Sequence, residues 1–405
     1  MASHEVPSFP FAREQGADPP SLNAKLRHEA PISQVKLYDG NPAWILTKHK
    51  DCCAALSSDK MSADRRTPGY PEIHEGGHKA KEATPTFVNM DNPEHDKQRA
   101  MLEPEFTEQA VEGKWRPMME QVIDAVLDDF VEKGKKEQPI DLIKHLATPV
   151  PTQIIYKALG VPDEDVEYLS RDSEVRNSTS RNAAETSNQN LQGYMKNLVK
   201  KKMGQPGDDI MGRLIREQLK PGNINEDDVA TLAFLVLTAG NAALINSIGL
   251  GTMTLLSHPK QLSDFKRDPK RLAGRVVNEI TRYHTASALN SRRAAKEDVK
   301  IGDQVLKKGD GVICSVQAAN RDEDVFKNPE EFNIHREMSP ADTLGFGDGP
   351  HRCLAEAFSR AQLEIFFSRL FQRLPRLRLA TNPSDLPYTE PAMNIGVTEL
   401  PVYFE

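Results

Sequence analysis

Residues 345–356 read Gly345-Phe346-Gly347-Asp348-Gly349-Pro350-His351-Arg352-Cys353-Leu354-Ala355-Glu356, and the reading of this stretch decides the fold. Three glycines precede one cysteine, placed where a helix is predicted to begin. A thiolate that binds a metal has to stay ionised, and a helix N-terminus helps by offering a positive dipole end and free N–H groups. Glycines let the backbone approach a flat cofactor closely. Phe346 can pack near the sulfur and exclude water, and the shell around a metal tunes its potential. His351 and Arg352 are donors suited to acidic groups on a cofactor edge. Two plainer readings compete. A solitary cysteine commonly serves as a small buried hydrophobe. A G-x-G-x-G run is a nucleotide loop when it joins a strand to a helix, but no strand precedes this one and no βαβ unit surrounds it.

Outward from this loop, the composition is that of a soluble globular chain. Of 405 residues, 38 % are hydrophobic and 27 % charged, enough for a large core. The net charge of −7 argues against general nucleic-acid binding, which needs a positive surface. The four cysteines, Cys52, Cys53, Cys314 and Cys353, form no C-x-x-C pair and no disulfide framework, so a reducing compartment fits best. The N-terminus shows neither a signal-peptide core nor an Arg-rich presequence. A cytoplasmic location is expected, with the mitochondrial matrix left open. Residues 229–257 carry no charge and are long enough to span a bilayer. Their asparagines, threonines and glycines, and flanks without a clear basic anchor, favour a helix buried in a helical protein.

The rest of the pattern is mainly helical with a minor β portion. Residues 35–38 and 43–46 flank Asp39-Gly40-Asn41-Pro42 and read as a hairpin. A second hairpin is read at 298–301 and 304–306, with 312–314 extended. Residues 67–86 read as a loop. Asp91-Asn92-Pro93-Glu94-His95 opens a helix, because proline fixes φ and the acids suit the positive end. Helices are expected over 115–131, 142–159, 163–170, 183–202, 227–256, 259–265, 271–284 and from Cys353 to 374. With no repeat and no linker, residues 1–405 are read as one domain.

These residues carry a resemblance. Phe346, Gly349, Cys353 and Ala355 fill the F-x-x-G-x-x-x-C-x-[GA] haem loop of the cytochrome P450 superfamily. Glu279-Ile280-Thr281-Arg282 resembles the family's E-x-x-R, and Asn320-Arg321-Asp322, Phe326, Pro329, Phe332 and Arg336 resemble the meander that supplies its third partner, here Arg336. His95-Asp96-Lys97-Gln98-Arg99 resembles the H-x-x-x-R pair that binds haem propionates, with both residues on one helix face. The resemblance implies the cytochrome P450 fold, with a long central helix over haem b. It makes Cys353 the iron ligand, with His95, Arg99, Arg293 and His351 at the propionates and Ala239 and Phe346 against the cofactor.

Within the superfamily the chain is most similar to the fungal nitric oxide reductases. The shared phrases include Pro149-Val150-Pro151, Ala239-Gly240-Asn241-Ala242, Arg282-Tyr283-His284-Thr285-Ala286-Ser287-Ala288-Leu289 and Ala295-Lys296-Glu297-Asp298-Val299. Members of that group take hydride from NADH onto a ferric nitric oxide centre, and a second nitric oxide then gives nitrous oxide and water. By position, Arg65, Arg176 and Arg292 would meet the NADH pyrophosphate, through bidentate guanidinium bonds. Glu72 and Ser287 are retained. Three positions depart: Ala243 stands for a threonine, and Asn89 and Asn394 stand for aspartates. Both asparagines hydrogen-bond but do not release protons as acids. Ala242 and Ala243 also replace the acid–threonine pair of oxygen-activating members, which disfavours ordinary hydroxylation. His74 and Gly76 stand where small serines are usual, and that bears on NADH against NADPH.

Three readings follow from the resemblance. One is an NAD(P)H-dependent nitric oxide reductase that needs no separate redox partner. The second is a diverged biosynthetic enzyme acting on a small organic substrate by nitration, nitrosation, N–N bond formation or oxidation. The third is a haem protein that only binds nitric oxide. No membrane anchor and no nucleic-acid partner is expected.

Overall fold

The N-terminal hairpin forms as its alternation requires. Strands Ile32–Lys36 and Pro42–Leu46 pair antiparallel, with Val35 opposite Ala43, and bury Val35, Ile45 and Leu46 completely. The computed structural model describes residues 6–79, 81–136, 138–176 and 181–404. The chain divides into two units. One holds residues up to 96, 258–354 and 382–398; the other holds 97–257, 355–381 and the chain from 399 on.

The first unit is built on a five-stranded sheet. Pro42–Leu46 pairs parallel with Gly311–Cys314, which pairs antiparallel with Arg292–Ala295, and Met61–Ser62 closes the far edge. The strand Arg292–Ala295 was not expected, because Arg-Arg-Ala-Ala lacks alternation; its four residues are all buried. The second predicted hairpin forms between Val299–Ile301 and Gln304–Leu306. A helix not anticipated from the sequence occupies Ser21–Glu29. The expected loop at 67–86 contains one short helix, Gly76–Lys79. Helix Pro269–His284 is the unit's mechanical centre. Asp268 caps it by accepting from the Arg271 N–H, and Pro269 sits at the first helical position, where its missing N–H costs nothing.

The second unit is helical, with a three-stranded sheet of Ile140–Asp141, Pro401–Tyr403 and Arg378–Leu379. Helix Arg116–Gly134 packs on Glu356–Arg373, and Gly134 is glycine because a Cβ there would stand 2.2 Å from the Phe404 ring. The expected central helix arrives as two segments, Glu226–Ala239 and Asn241–Ser257, meeting at Gly240. A capping box starts it: the Asp228 N–H bonds the Asn225 side chain at 2.9 Å and the Asn225 N–H bonds Asp228 at 3.0 Å. Three features interrupt it. Glycine costs about 1 kcal/mol in a helix interior. Thr238 Oγ1 bonds back to the Phe234 carbonyl at 2.9 Å, which bends helices. Asn241 is held sideways, its Nδ2 donating to Thr152 Oγ1 at 3.1 Å. Residues Glu226–Ser257 are long and apolar enough to cross a membrane by length and composition, and less than half of the apolar stretch is buried. Asn241, Thr252 and Thr254 are buried among them, and Asn241–Ser257 packs on Pro149–Leu159 and Glu356–Arg373.

Candidate functional site

The cysteine loop is braced from below. On helix Pro269–His284, Glu279 and Arg282 form a bidentate pair at 2.7 and 2.8 Å, both side chains fully buried. Arg282 uses all five of its N–H donors. Two go to Glu279, and the rest to the carbonyls of Asn320 at 2.9 Å, Pro329 at 2.8 Å and Glu331 at 3.1 Å. Glu279 accepts in addition from the Asn333 N–H at 2.7 Å and from Arg336 Nε at 3.2 Å, so Arg336 is the third partner, as expected. Asn320 carries this bracing to the loop. Its side chain accepts from the Leu344 N–H at 2.8 Å and donates to Thr285 at 2.9 Å.

From Leu344 the loop runs as a short 3-10 turn, and the Cys353 N–H bonds back to the Phe346 carbonyl at 2.8 Å. Cys353 is half-buried and forms no disulfide. It precedes helix Glu356–Arg373 by three residues, rather than opening it, because the chain between forms a turn. The glycines have local reasons. Gly347 and Gly349 adopt φ of +76° and +67°, which favour residues without Cβ. Gly345 approaches helix Pro269–His284 so closely that a Cβ would lie 2.2 Å from Thr281 Cγ2. Arg352 was read as a donor to the cofactor edge. It bonds the carbonyls of Gly347 at 2.9 Å and Pro340 at 3.0 Å, stiffening the loop.

Two of the residues expected at the cationic edge, His95 and His351, meet beside this loop. The His351 ring lies 4.2 Å from that of His95, centroid to centroid. His95 is buried, and its Nε2 has no hydrogen-bond partner among the described residues. Arg293 is buried on strand Arg292–Ala295, its Nη1 donating to the Arg292 carbonyl at 2.8 Å; burial pushes its pKa down. Arg99 follows His95 by one turn of helix Glu94–Leu102. A buried imidazole nitrogen without a partner among the described residues, set among cationic side chains, fits a group that brings carboxylates.

A second cluster gathers three of the expected residues. Glu72 is buried between Arg65, at 2.8 and 2.5 Å, and Arg292, at 3.2 Å. Burial works to raise the Glu72 carboxyl, but the bonds and charges of the two arginines outweigh it and hold it below its ordinary range. Arg292 also donates to the Pro71 carbonyl at 3.2 Å, lies 5.6 Å from the Tyr70 ring centre, and keeps a buried Nε without a partner among the described residues. Gly77 had no role in the sequence reading. A Cβ there would stand 2.2 Å from Glu72 Oε2, so its absence gives the carboxylate its place. Arg176 ends helix Asp163–Arg176, and its side chain lies outside the described residues.

The remaining positions sit in turns. Asn394 Oδ1 accepts from the Leu289 N–H at 3.1 Å, which joins it to the turn carrying Ser287. Asn89 closes the 3-10 turn Phe87–Asn89, donating to the Thr86 carbonyl at 2.7 Å. In the second unit, Ala239 and Ala242 are exposed on either side of the Gly240 interruption and Ala243 is half-buried. The hydroxyls of that stretch are spent on their own helix, Thr238 on the Phe234 carbonyl and Ser247 on the Ala243 carbonyl at 2.8 Å.

With this geometry in hand, comparison with known proteins is informative. A family model for cytochrome P450 matches residues 271–403. Cytochrome P450 55A3 of Fusarium lichenicola is 45 % identical over 399 residues, spanning 98 % of this chain and 97 % of that protein. The chain belongs to the cytochrome P450 family. Pentalenic acid synthase of Streptomyces avermitilis is 33 % identical over 98 % of this chain and 96 % of its own. The crystal structure of cytochrome P450 MoxA from Nonomuraea recticatena aligns with a TM-score of 0.93 at 34 % identity, over 98 % of each chain. Membership brings a haem cofactor and oxidoreductase chemistry, and the cysteine loop with its cationic edge fits that P450 cofactor.

Proposed function

We propose that this P450 reduces nitric oxide to nitrous oxide with electrons taken directly from NADH or NADPH. Two molecules of nitric oxide, one reduced nicotinamide and one proton give nitrous oxide, water and the oxidised nucleotide. The observation that carries the reading is the Arg65–Glu72–Arg292 cluster. Glu72 neutralises part of the positive charge, yet Arg292 Nε remains unspent in a buried setting. Guanidinium donors of this kind suit a pyrophosphate. Arg176 is assigned to the same ligand by its position in the sequence. The 45 % identity with a fungal P450 supports the same group.

In this reading Cys353 would hold the haem iron as a thiolate. His95, Arg99, Arg293 and His351 would meet its carboxylates, and Phe346 and Ala239 would lie against it. When bound, the haem would supply an iron able to bind nitric oxide. Ser287 passes the proton, positioned by the turn that Asn394 ties at Leu289. Glu72 stays ionised and aligns the arginines. Ala243 and Asn89 deliver no proton, so turnover depends on Ser287 and solvent. We assign residues 1–405 to one functional domain working in the cytoplasm without a partner reductase.

A stopped-flow experiment tests this. NADH or NADPH mixed anaerobically with the nitric oxide complex should convert its spectrum rapidly and yield nitrous oxide in the headspace. A complex that persists unchanged with both nucleotides refutes the proposal. The second reading, tailoring of an organic substrate, draws on the missing proton donors at Ala243, Asn89 and Asn394 and on relatives such as the pentalenic acid synthase. It predicts that an organic ligand shifts the haem spectrum while nitrous oxide output stays low.

A further inference from the structure

Arg13 has no role in anything described so far. It is buried near the start of the chain, yet it bonds a turn 376 to 380 residues further on. Its Nη1 donates to the Met393 carbonyl at 2.7 Å. Its Nη2 donates to the carbonyls of Thr389 at 2.6 Å and Glu390 at 3.1 Å, and to Thr389 Oγ1 at 3.2 Å. Its main-chain N–H adds a bond to the Pro391 carbonyl at 3.1 Å. All of these acceptors are neutral oxygens, so a buried cation is spent on the shape of one turn. From that turn a chain of bonds leads to Ser287. The Thr389 hydroxyl, which accepts from Arg13, donates to the Asn394 carbonyl at 2.8 Å. Asn394 Oδ1 accepts from the Leu289 N–H at 3.1 Å. Leu289 lies in the turn that the Asn290 N–H closes on the Ser287 carbonyl at 3.4 Å. The far side of the same contact is also held from the N-terminal segment. Phe9 and Phe11 pack edge to face at 5.3 Å, in a buried cluster with Val35, Ile45 and Ile313 against which Leu289 packs. Residues 9–13 thus grip both partners of the Asn394–Leu289 bond.

We propose that Arg13 is a positioning residue for Ser287: it fixes the carbonyls of residues 389–393, sets where Asn394 presents Oδ1, and through Leu289 sets the turn from which Ser287 passes its proton. The inference rests on the nitric oxide reading for what Ser287 does, and on the hydrogen bonds alone for how the turn is held. A guanidinium suits this work. It stays charged at every working pH and offers several donors in one plane to carbonyls spread over five residues. Transfer through a hydroxyl is sensitive to such placement, since a displacement of about 1 Å can cost about a hundredfold in rate. The nucleotide socket is held by other bonds. Glu72 fixes Arg65 and Arg292 directly, through contacts that involve neither Arg13 nor the 389–394 turn. Loss of Arg13 therefore strikes the proton step and spares nucleotide binding.

The test uses the haem-loaded protein carrying Arg13→Met, which keeps an apolar stem and removes the donors. Hydrogen exchange at the Leu289 amide should quicken about tenfold, while helix Pro269–His284 keeps its protection. The kcat for nitrous oxide should fall about tenfold with nucleotide KM changed less than about twofold. The solvent deuterium isotope effect on kcat should grow, because the step through Ser287 becomes more limiting. Asn394→Ala should behave alike, and the double variant should be no worse than Asn394→Ala alone, because Arg13 acts through Asn394. Thr389→Val keeps the guanidinium and deletes the hydroxyl between it and Asn394; it should quicken the same amide and serves if Arg13→Met does not fold. Unchanged exchange at Leu289 in either folded variant overturns the proposal. So do losses that add in the double variant, or a rise in KM that matches the fall in kcat. A parent that forms no nitrous oxide refutes the nitric oxide reading instead, and the Leu289 amide then still decides whether Arg13 sets the turn.

Discussion

Two clusters in the first unit use the same residue types to opposite ends. Glu279 with Arg282 and Arg336 is closed: every N–H of Arg282 is spent, mostly on main-chain carbonyls, and the Glu279 and Arg282 side chains are fully buried. Glu72 with Arg65 and Arg292 is open: the carboxylate is saturated, but the guanidiniums keep unspent capacity. Buried ion pairs gain little net stability, because desolvation offsets their attraction. What the closed cluster gains is geometry, since it pins the strand of chain that leads to Cys353. On the proposed reading, what the open cluster gains is affinity for an anion, through the buried Arg292 Nε that has no partner among the described residues. The same two amino acids therefore make a joint in one place and a socket in the other, and the difference lies in the surrounding carbonyls.

Breaking the joint should cost most. Arg282→Ala strands a buried carboxylate and three carbonyls. It should destabilise the fold by about 3–5 kcal/mol and abolish haem incorporation, read by urea unfolding and the haem spectrum. Arg282→Lys should recover little, because three mobile donors do not replace a planar fork. His284 lies next to this joint, and burial pushes its pKa down to about 3, with Arg321 and Arg282 adding repulsion. Its folded value is below its unfolded value of about 6.5, so the neutral ring's contribution is complete above about pH 6.5 and is lost as pH falls toward 3. Unfolding free energy should drop by about 1.4 kcal/mol per pH unit across that window, and His284→Leu should flatten the slope. A parental curve without slope there would show that a second group compensates.

The socket should yield smaller and different effects. Arg292→Ala should weaken nucleotide binding about tenfold to a hundredfold while costing on the order of 1–2 kcal/mol of stability, because Arg65 still holds Glu72. Equal losses in both measures would mean that the socket is only another joint. Gly77→Ala is the mildest probe. It pushes a methyl group against Glu72 Oε2. Nucleotide KM should change a few-fold, on the order of 0.5–1 kcal/mol, with unfolding nearly unaltered.

The sequence made the joint readable and the socket only partly so. Glu279 and Arg282 stand three apart in a fixed order before the cysteine loop, and a pair so spaced on a helix has one face to share. Arg336 could be named because the meander residues precede it. The socket depends on chain separations that no local pattern encodes: Glu72 and Arg292 are 220 residues apart. The strand carrying Arg292 and Arg293 escaped notice because Arg-Arg-Ala-Ala mimics nothing periodic, and the parallel pairing of Pro42–Leu46 with Gly311–Cys314 leaves no trace in either segment. The Gly240 interruption was missed for a different reason. Glycine lies within many apolar helices, and only the Thr152–Asn241 bond shows that this one gives way.

The five bonds of Arg282 also set a timetable for synthesis. Its carbonyl partners lie 38, 47 and 49 residues downstream. When helix Pro269–His284 leaves the ribosome, none of those acceptors exists outside the tunnel, so the guanidinium must wait in water. At about 5–20 residues per second that interval lasts several seconds. The unit's centre is thus among the last parts to be sealed, and Cys353, later still in the chain, emerges onto a platform that has only just set.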